Sequence, residues 1–145
     1  MSEANKAVIR RLFDDCLNRH DPSVYPELYS EVVYRAPALG ELRGEEHLQF
    51  LKSLFAAFPD AHWNLEDQIA EGDKVVSRWS FAGTHHGTFL GIAPTEAQLV
   101  GGGICIDRIV EGKIVEEWEQ WDTLGMMQQL GMVPVEVSIS DTIAP

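Results

Sequence analysis

The sequence predicts an α+β fold in which helices come first and a run of long antiparallel strands follows. Three observations carry this. Apolar residues recur at helical spacing up to about residue 58. Beyond about residue 60 the period drops to two. Gly72-Asp73 and Glu111-Gly112 then sit where tight turns would join neighbouring strands.

From Glu3 to about Arg19, Val8, Leu12, Phe13, Cys16 and Leu17 form one apolar stripe among charges, and Asp21-Pro22 ends the helix. Val24 to Tyr29 reads as a short second helix. Ser30 to Pro37 is rich in β-branched and aromatic residues and reads as a strand closed by proline. Gly44 opens a helix over about Glu45 to Phe58, with Leu48, Leu51, Leu54, Phe55 and Phe58 on its apolar face; Pro59-Asp60 stops it. His62 to Glu71, Lys74 to His86, Gln98 to Val110 and Lys113 to Trp121 read as strands. A last helix, Thr123 to Leu130, ends at Gly131. Residues 1–132 form one domain on this reading, and 133–145 a tail that is either an edge strand or disordered. The 145 residues leave room for a single ordinary domain.

Eleven Lys and Arg against 23 Asp and Glu give a net charge of −12, which repels phosphate backbones and anionic membranes. Nucleic-acid and lipid-headgroup binding are therefore expected to be absent. Cys16 and Cys105 lie among apolar residues without a CxxC or His/Cys cluster, so they read as buried thiols. MSEANKAVIRR lacks the apolar run of a signal peptide, and no stretch reaches the ~18 apolar residues of a membrane span, so a cytoplasmic location is expected.

The Glu111-Gly112 hairpin brings candidate chemistry together. A regular two-residue loop pairs Val110 with Lys113, Ile109 with Ile114 and Cys105 with Trp118. One face then carries Gly101, Gly103, Cys105, Asp107 and Ile109 beside Ile114, Glu116, Trp118, Gln120 and Asp122. Small residues opposite a Trp, a Gln and an acid leave the volume and the few polar groups of a small-molecule pocket. Asp122 is the candidate general base, since apolar walls would raise its pKa. It also directly precedes a helix, where Asp is a favoured N-cap. His85 and His86 point to opposite strand faces and cannot share a metal, so no metal is expected; one imidazole could stand at a cavity mouth. Arg108 falls on the face opposite Asp122, within reach of a surface ion pair with Glu117, unless a β-bulge turns it round. There is no GxGxxG, P-loop, GxSxG or HExxH, which leaves cofactor-free acid–base chemistry.

GDKVVSRW (Gly72 to Trp79), GTHHGTFLGIAPT (Gly83 to Thr95), DRIVEGKIVEEW (Asp107 to Trp118), Asp122 and QQLG (Gln128 to Gly131) together resemble the SnoaL-like polyketide cyclases of the NTF2-like superfamily. FPDAHW (Phe58 to Trp63) and the first helix match more loosely. The resemblance implies a cone: a strongly curved antiparallel sheet with three to four helices on its concave side, enclosing an apolar pocket, usually as a homodimer through the sheet. It implies an intramolecular aldol ring closure without metal or cofactor. Asp122 is the acid/base, and Arg108 or His85 stabilises the enolate. Trp118, Gln120, Cys105, Trp63 and Phe58 complete the expected pocket, and a small apolar or aromatic carbonyl compound is the expected ligand. Glu96 departs from the glycine that usually follows the family's PT turn. Two other readings stay open: a non-catalytic binding or accessory dimer, and an epoxide hydrolase using Asp107, Arg108 and Asp122.

Overall fold

The computed structural model describes residues 2–134. The expectation for the tail falls, from residue 135 onward, outside them.

Helix α1 (Ser2–Arg11) runs on into a wider π-helical stretch over Leu12–Leu17. The wider turn brings Leu12, Phe13, Cys16 and Leu17 all into the core. A 3-10 turn at Pro22–Val24, capped by the Asp21 carboxylate on the Ser23 N–H, leads into α2 (Tyr25–Leu28). Strands β1 (Tyr29–Ala36) and β2 (Gly40–Arg43) follow, then α3 (Glu45–Ala57). The long strands are β3 (His62–Glu71), β4 (Lys74–Thr84), β5 (Gln98–Val110) and β6 (Lys113–Trp121), and α4 is Thr123–Gln129. Strand β2 was not expected: GELR has no alternation to announce it, and it is held by pairing with β1.

The strands form one sheet in the order β2-β1-β6-β5-β4-β3. The chain must therefore pass from β2 at one edge to β3 at the other, and α3 makes that crossing over one face. The sheet is mixed, not wholly antiparallel as expected, because β1 runs parallel to β6. β1 and β6 are joined only through the long intervening chain, and a connection of that length permits parallel pairing. The sheet is open rather than closed into a barrel.

Inward residues of the strands pack against α1, its π-helical extension and α3. The core joins Ile9, Phe13, Leu28, Val32, Leu51, Phe55, Phe58, Trp63, Val75, Ile109 and Ile114. Each such aliphatic or aromatic side chain contributes about 1.5–3 kcal/mol on burial. The outer face is left bare and carries the apolar row Ile69, Val76, Ile106 and Trp118, which are successive cross-strand partners. No helix among the described residues is long and apolar enough to cross a membrane.

Candidate active site

The β5–β6 turn begins as the sequence requires. Val110 pairs with Lys113 and Ile109 with Ile114, and Glu111 and Gly112 have φ of 50° and 77°, the left-handed pair of a type I′ turn. One residue later the regular register ends. Arg108 stands opposite Glu116, so Val115 is an extra residue in β6 and makes a β-bulge. Because side chains alternate, that single insertion exchanges the two faces of everything beyond it. Asp107 now faces Glu117, Cys105 faces Glu119 and Gly103 faces Trp121.

The bulge corrects several expected site residues. Trp118 lies on the outer face, where the Arg35 guanidinium carbon and the Lys74 ammonium stand 5.2 Å and 5.6 Å from its ring centroid. Gln120 is exposed. Arg108 also stays outside: its Nε donates to Glu116 at 2.7 Å, and Nη1 lies 3.8 Å from Asp73. The ion pair forms with Glu116 rather than Glu117. Arg35 binds the same Glu116 carboxylate at 2.9 Å, and the two guanidiniums hold it below the usual carboxylate range. None of Arg108, Trp118 and Gln120 lines the cavity.

Under α3 lies a cavity of about 120 Å³. Its walls are almost wholly apolar and aromatic, and include the expected Phe58, Trp63 and Cys105, with Tyr34, Phe50, Trp79, Phe89 and Trp121 among others. His85 is not in the wall. It is buried behind Phe58, ring centroids 5.6 Å apart, and its Nδ1 accepts the Thr95 N–H at 3.2 Å and lies 3.0 Å from the Thr95 hydroxyl. His86 points outward to Glu96, 3.0 Å away, which raises its pKa. The two histidines thus diverge, although both lie just past the end of β4 at Thr84 rather than within the expected strand. Asp122 borders the cavity but is exposed, and its Oδ1 accepts the Gly125 N–H at 2.9 Å as the N-cap of α4.

The polar part of the cavity is acidic. Glu117 and Glu119 both line it, with Asp107 fully buried behind them. Burial pushes the Glu117 carboxyl up to about 7, and contacts with Glu119 and Tyr29 offset part of that rise. Glu119 is pushed well above its usual range, first by burial and then by the negative neighbours Glu117 and Asp107. Asp107 is raised for the same reasons, burial first and Glu117 second. The Tyr29 hydroxyl lies 3.5 Å from Glu117 Oε1, and His47 Nε2 lies 3.9 Å from it. His47 is itself buried, with Nδ1 2.9 Å from the Tyr25 hydroxyl; burial lowers its pKa to about 4, so it is neutral.

Cys105, Asp107 and Glu117 offer ligand atoms within 4.8 Å of one another. The Cys105 thiol is pushed well up by burial and by the Asp107 charge. Sequence reasoning passed over Glu117, Glu119, Trp121 and His47 as site residues. An insertion of one residue leaves no trace in composition or period, and the burial of Glu117 could not be read without it.

Residues 7–130 match the SnoaL-like polyketide cyclase family. Among solved structures, AclR of Streptomyces galilaeus, a candidate hydroxylase, shares 26% identity over 92% of this chain and 100% of its own, with a TM-score of 0.83. TsrD of Streptomyces laurentii shares 27% over 92% and 98%, TM-score 0.81. IdmH of Streptomyces antibioticus, a candidate polyketide cyclase, shares 27% over 88% and 98%, TM-score 0.76. No curated protein matches the sequence. A family match over most of the chain, on a curved α+β sheet with an apolar cavity beneath its helices, leads to one conclusion: the chain belongs to the SnoaL-like polyketide cyclase family.

Proposed function

We propose that the protein is a cyclase or isomerase that acts on an apolar carbonyl compound, with the Glu117–Glu119 carboxyl pair as its acid and base. The family supports the reaction class in general. The observation that carries the assignment is that two neighbouring carboxyls line an otherwise apolar cavity, one raised to about 7 and the other further. Two like charges this close do not both ionise near neutrality, so the pair holds one proton and one negative charge. The carboxylate removes a C–H proton α to a carbonyl. The enolate attacks a second carbonyl of the same molecule, and the neutral carboxyl protonates the alkoxide that forms. The pair regains its starting charge at the end of the cycle.

Asp122 fits this role less well than the sequence suggested. Its carboxylate is exposed and engaged by the Gly125 N–H, whereas Glu119 Oε2 is buried without a hydrogen-bond partner among the described residues. Heptane-2,6-dione, which closes to a cyclohexenone by intramolecular aldol condensation, tests the reading. Glu119→Gln and Glu117→Gln are each expected to lower turnover by about 100-fold or more, the usual worth of a positioned acid or base. Asp122→Asn retains activity. Full activity in both glutamine variants would leave the cavity as a binding site without acid–base chemistry. The bare apolar row on the outer sheet face supports assembly as a homodimer through that face.

A further inference from the structure

We infer that the indole N–H of Trp121 forms an oxyanion subsite, the donor that holds the substrate's carbonyl oxygen while the enolate forms. The inference rests on the cavity being the substrate site. Trp121 lines the cavity, two residues beyond Glu119 on the same face of β6. Its Nε1 is buried and has no hydrogen-bond partner among the described residues, as is true of Glu119 Oε2. Buried indole N–H groups ordinarily find an acceptor, because leaving one unmade forfeits the hydration it had in the unfolded chain. Among the described residues it finds none: the ring lies 5.9 Å from Phe50, centroid to centroid, and the Trp121 backbone pairs with Gly103 across the ladder.

The donors that sequence reasoning nominated are unavailable to a ligand in the cavity. Arg108 is tied to Glu116 on the outer face, and His85 lies behind Phe58. Trp121 is thus a lining residue whose indole N–H is buried and without a partner among the described residues, two positions from Glu119 along β6. An N–H donor in an apolar, water-poor cavity stabilises a developing oxyanion more strongly than the neutral ketone from which it forms. The ligand class follows: a planar apolar molecule with a carbonyl or enol oxygen at the β6 end of the cavity and its acidic C–H toward the glutamates. No side-chain cation is needed to hold that oxygen. The bulge at Val115 is what turns Trp121 inward, so donor and carboxyls share one structural cause.

Trp121→Phe removes the N–H and keeps an aromatic ring. Equilibrium dialysis with 2-naphthol, as an enol mimic, against naphthalene isolates the donor from any chemistry. The wild type is expected to favour naphthol at least about tenfold, and Trp121→Phe to bring the two within about threefold while holding naphthalene as the wild type does. With heptane-2,6-dione, Trp121→Phe is expected to lower kcat about 100-fold with little change in KM, the cost of losing one oxyanion donor. Naphthol preference that survives in Trp121→Phe overturns the inference, and so does failure of the wild type to bind either compound. If the diketone is not turned over at all, the acid–base reading fails, and the dialysis alone still decides the donor.

Discussion

Cys105 faces Glu119 across the β5–β6 ladder, one position further along β6 than an unbroken ladder from the Glu111-Gly112 turn would place it. That displacement turns two carboxyls, Glu117 and Glu119, and the Trp121 indole under the helices beside Asp107, while Arg35 and Arg108 stay outside. The charge arrangement follows from it. Arg35, Arg108 and Glu116 form an ion-pair group on the outer face, while among the described residues no lysine or arginine pairs with the buried acids.

The buried acids predict an inverted pH dependence of stability. Burial pushes the Glu117 carboxyl from its ordinary 4.5 up to about 7. A raised pKa means the folded state binds the proton more tightly, so the stability it contributes is complete below about 4.5 and is lost as pH rises through about 7. For Glu117 alone the loss is on the order of 3 kcal/mol. Asp107 and Glu119 act in the same direction and extend the window upward. The melting temperature is expected to be higher near pH 5 than near pH 8, and Glu117→Gln to flatten the profile. A profile that rises toward pH 8 in the wild type would contradict the buried, uncompensated acids.

Asp122 is predicted to matter for stability more than for chemistry. Its carboxylate satisfies the Gly125 N–H at the start of α4. Asp122→Ala should cost about 1 kcal/mol, and Asp122→Asn much less, because Asn caps nearly as well. Urea denaturation of the two variants gives the difference, and turnover in Asp122→Asn checks that the acid is not the catalyst.

Most of the fold was legible because it rests on periodicity. The boundaries of β3, β5 and β6 coincide with the expected ones, and the α3 stripe of Leu51, Phe55 and Phe58 is the buried face. The parallel pairing of β1 with β6 and the short β2 were not legible, since both depend on where distant segments meet. The site was legible by location but not by residue. The hairpin was the right place, and Phe58, Trp63 and Cys105 do line the cavity. Trp118 and Gln120 were placed inward by a regular alternation that Val115 breaks. The π-helical widening at Leu12–Leu17 was equally hidden: it moves side chains onto one face without altering which residues are apolar.

The outer sheet face is predicted to be a dimer interface. Ile69 is 65% exposed and Ile106 37%, and with Val76 and Trp118 they make a continuous cross-strand row. Such a patch is unusual on a monomer. Ile106→Asp places a charge in the middle of the row and should halve the mass measured by light scattering without lowering cavity binding. A wild type that is monomeric at all concentrations would remove the basis for this prediction.

Two glycines of β5 separate filling the cavity from breaking the fold. A Cβ at Gly101 would meet nothing within 4 Å, and its φ is not in the left-handed region, so the backbone accepts a side chain there. Gly101 also lines the cavity, opposite Phe81 in the ladder. Gly101→Leu should therefore occupy the mouth, abolishing naphthol binding and diketone turnover while the melting temperature stays at the wild-type value. Gly103 is different: a Cβ there would press on the Gln120 carbonyl and come within 2.8 Å of the Trp79 ring. Backbone on one side and a buried indole on the other cannot both give way, so Gly103→Ala should destabilise by about 1–3 kcal/mol. Comparing the two variants distinguishes loss of function by occlusion from loss by unfolding. Unimpaired ligand binding in Gly101→Leu would show that substrates do not enter past β5.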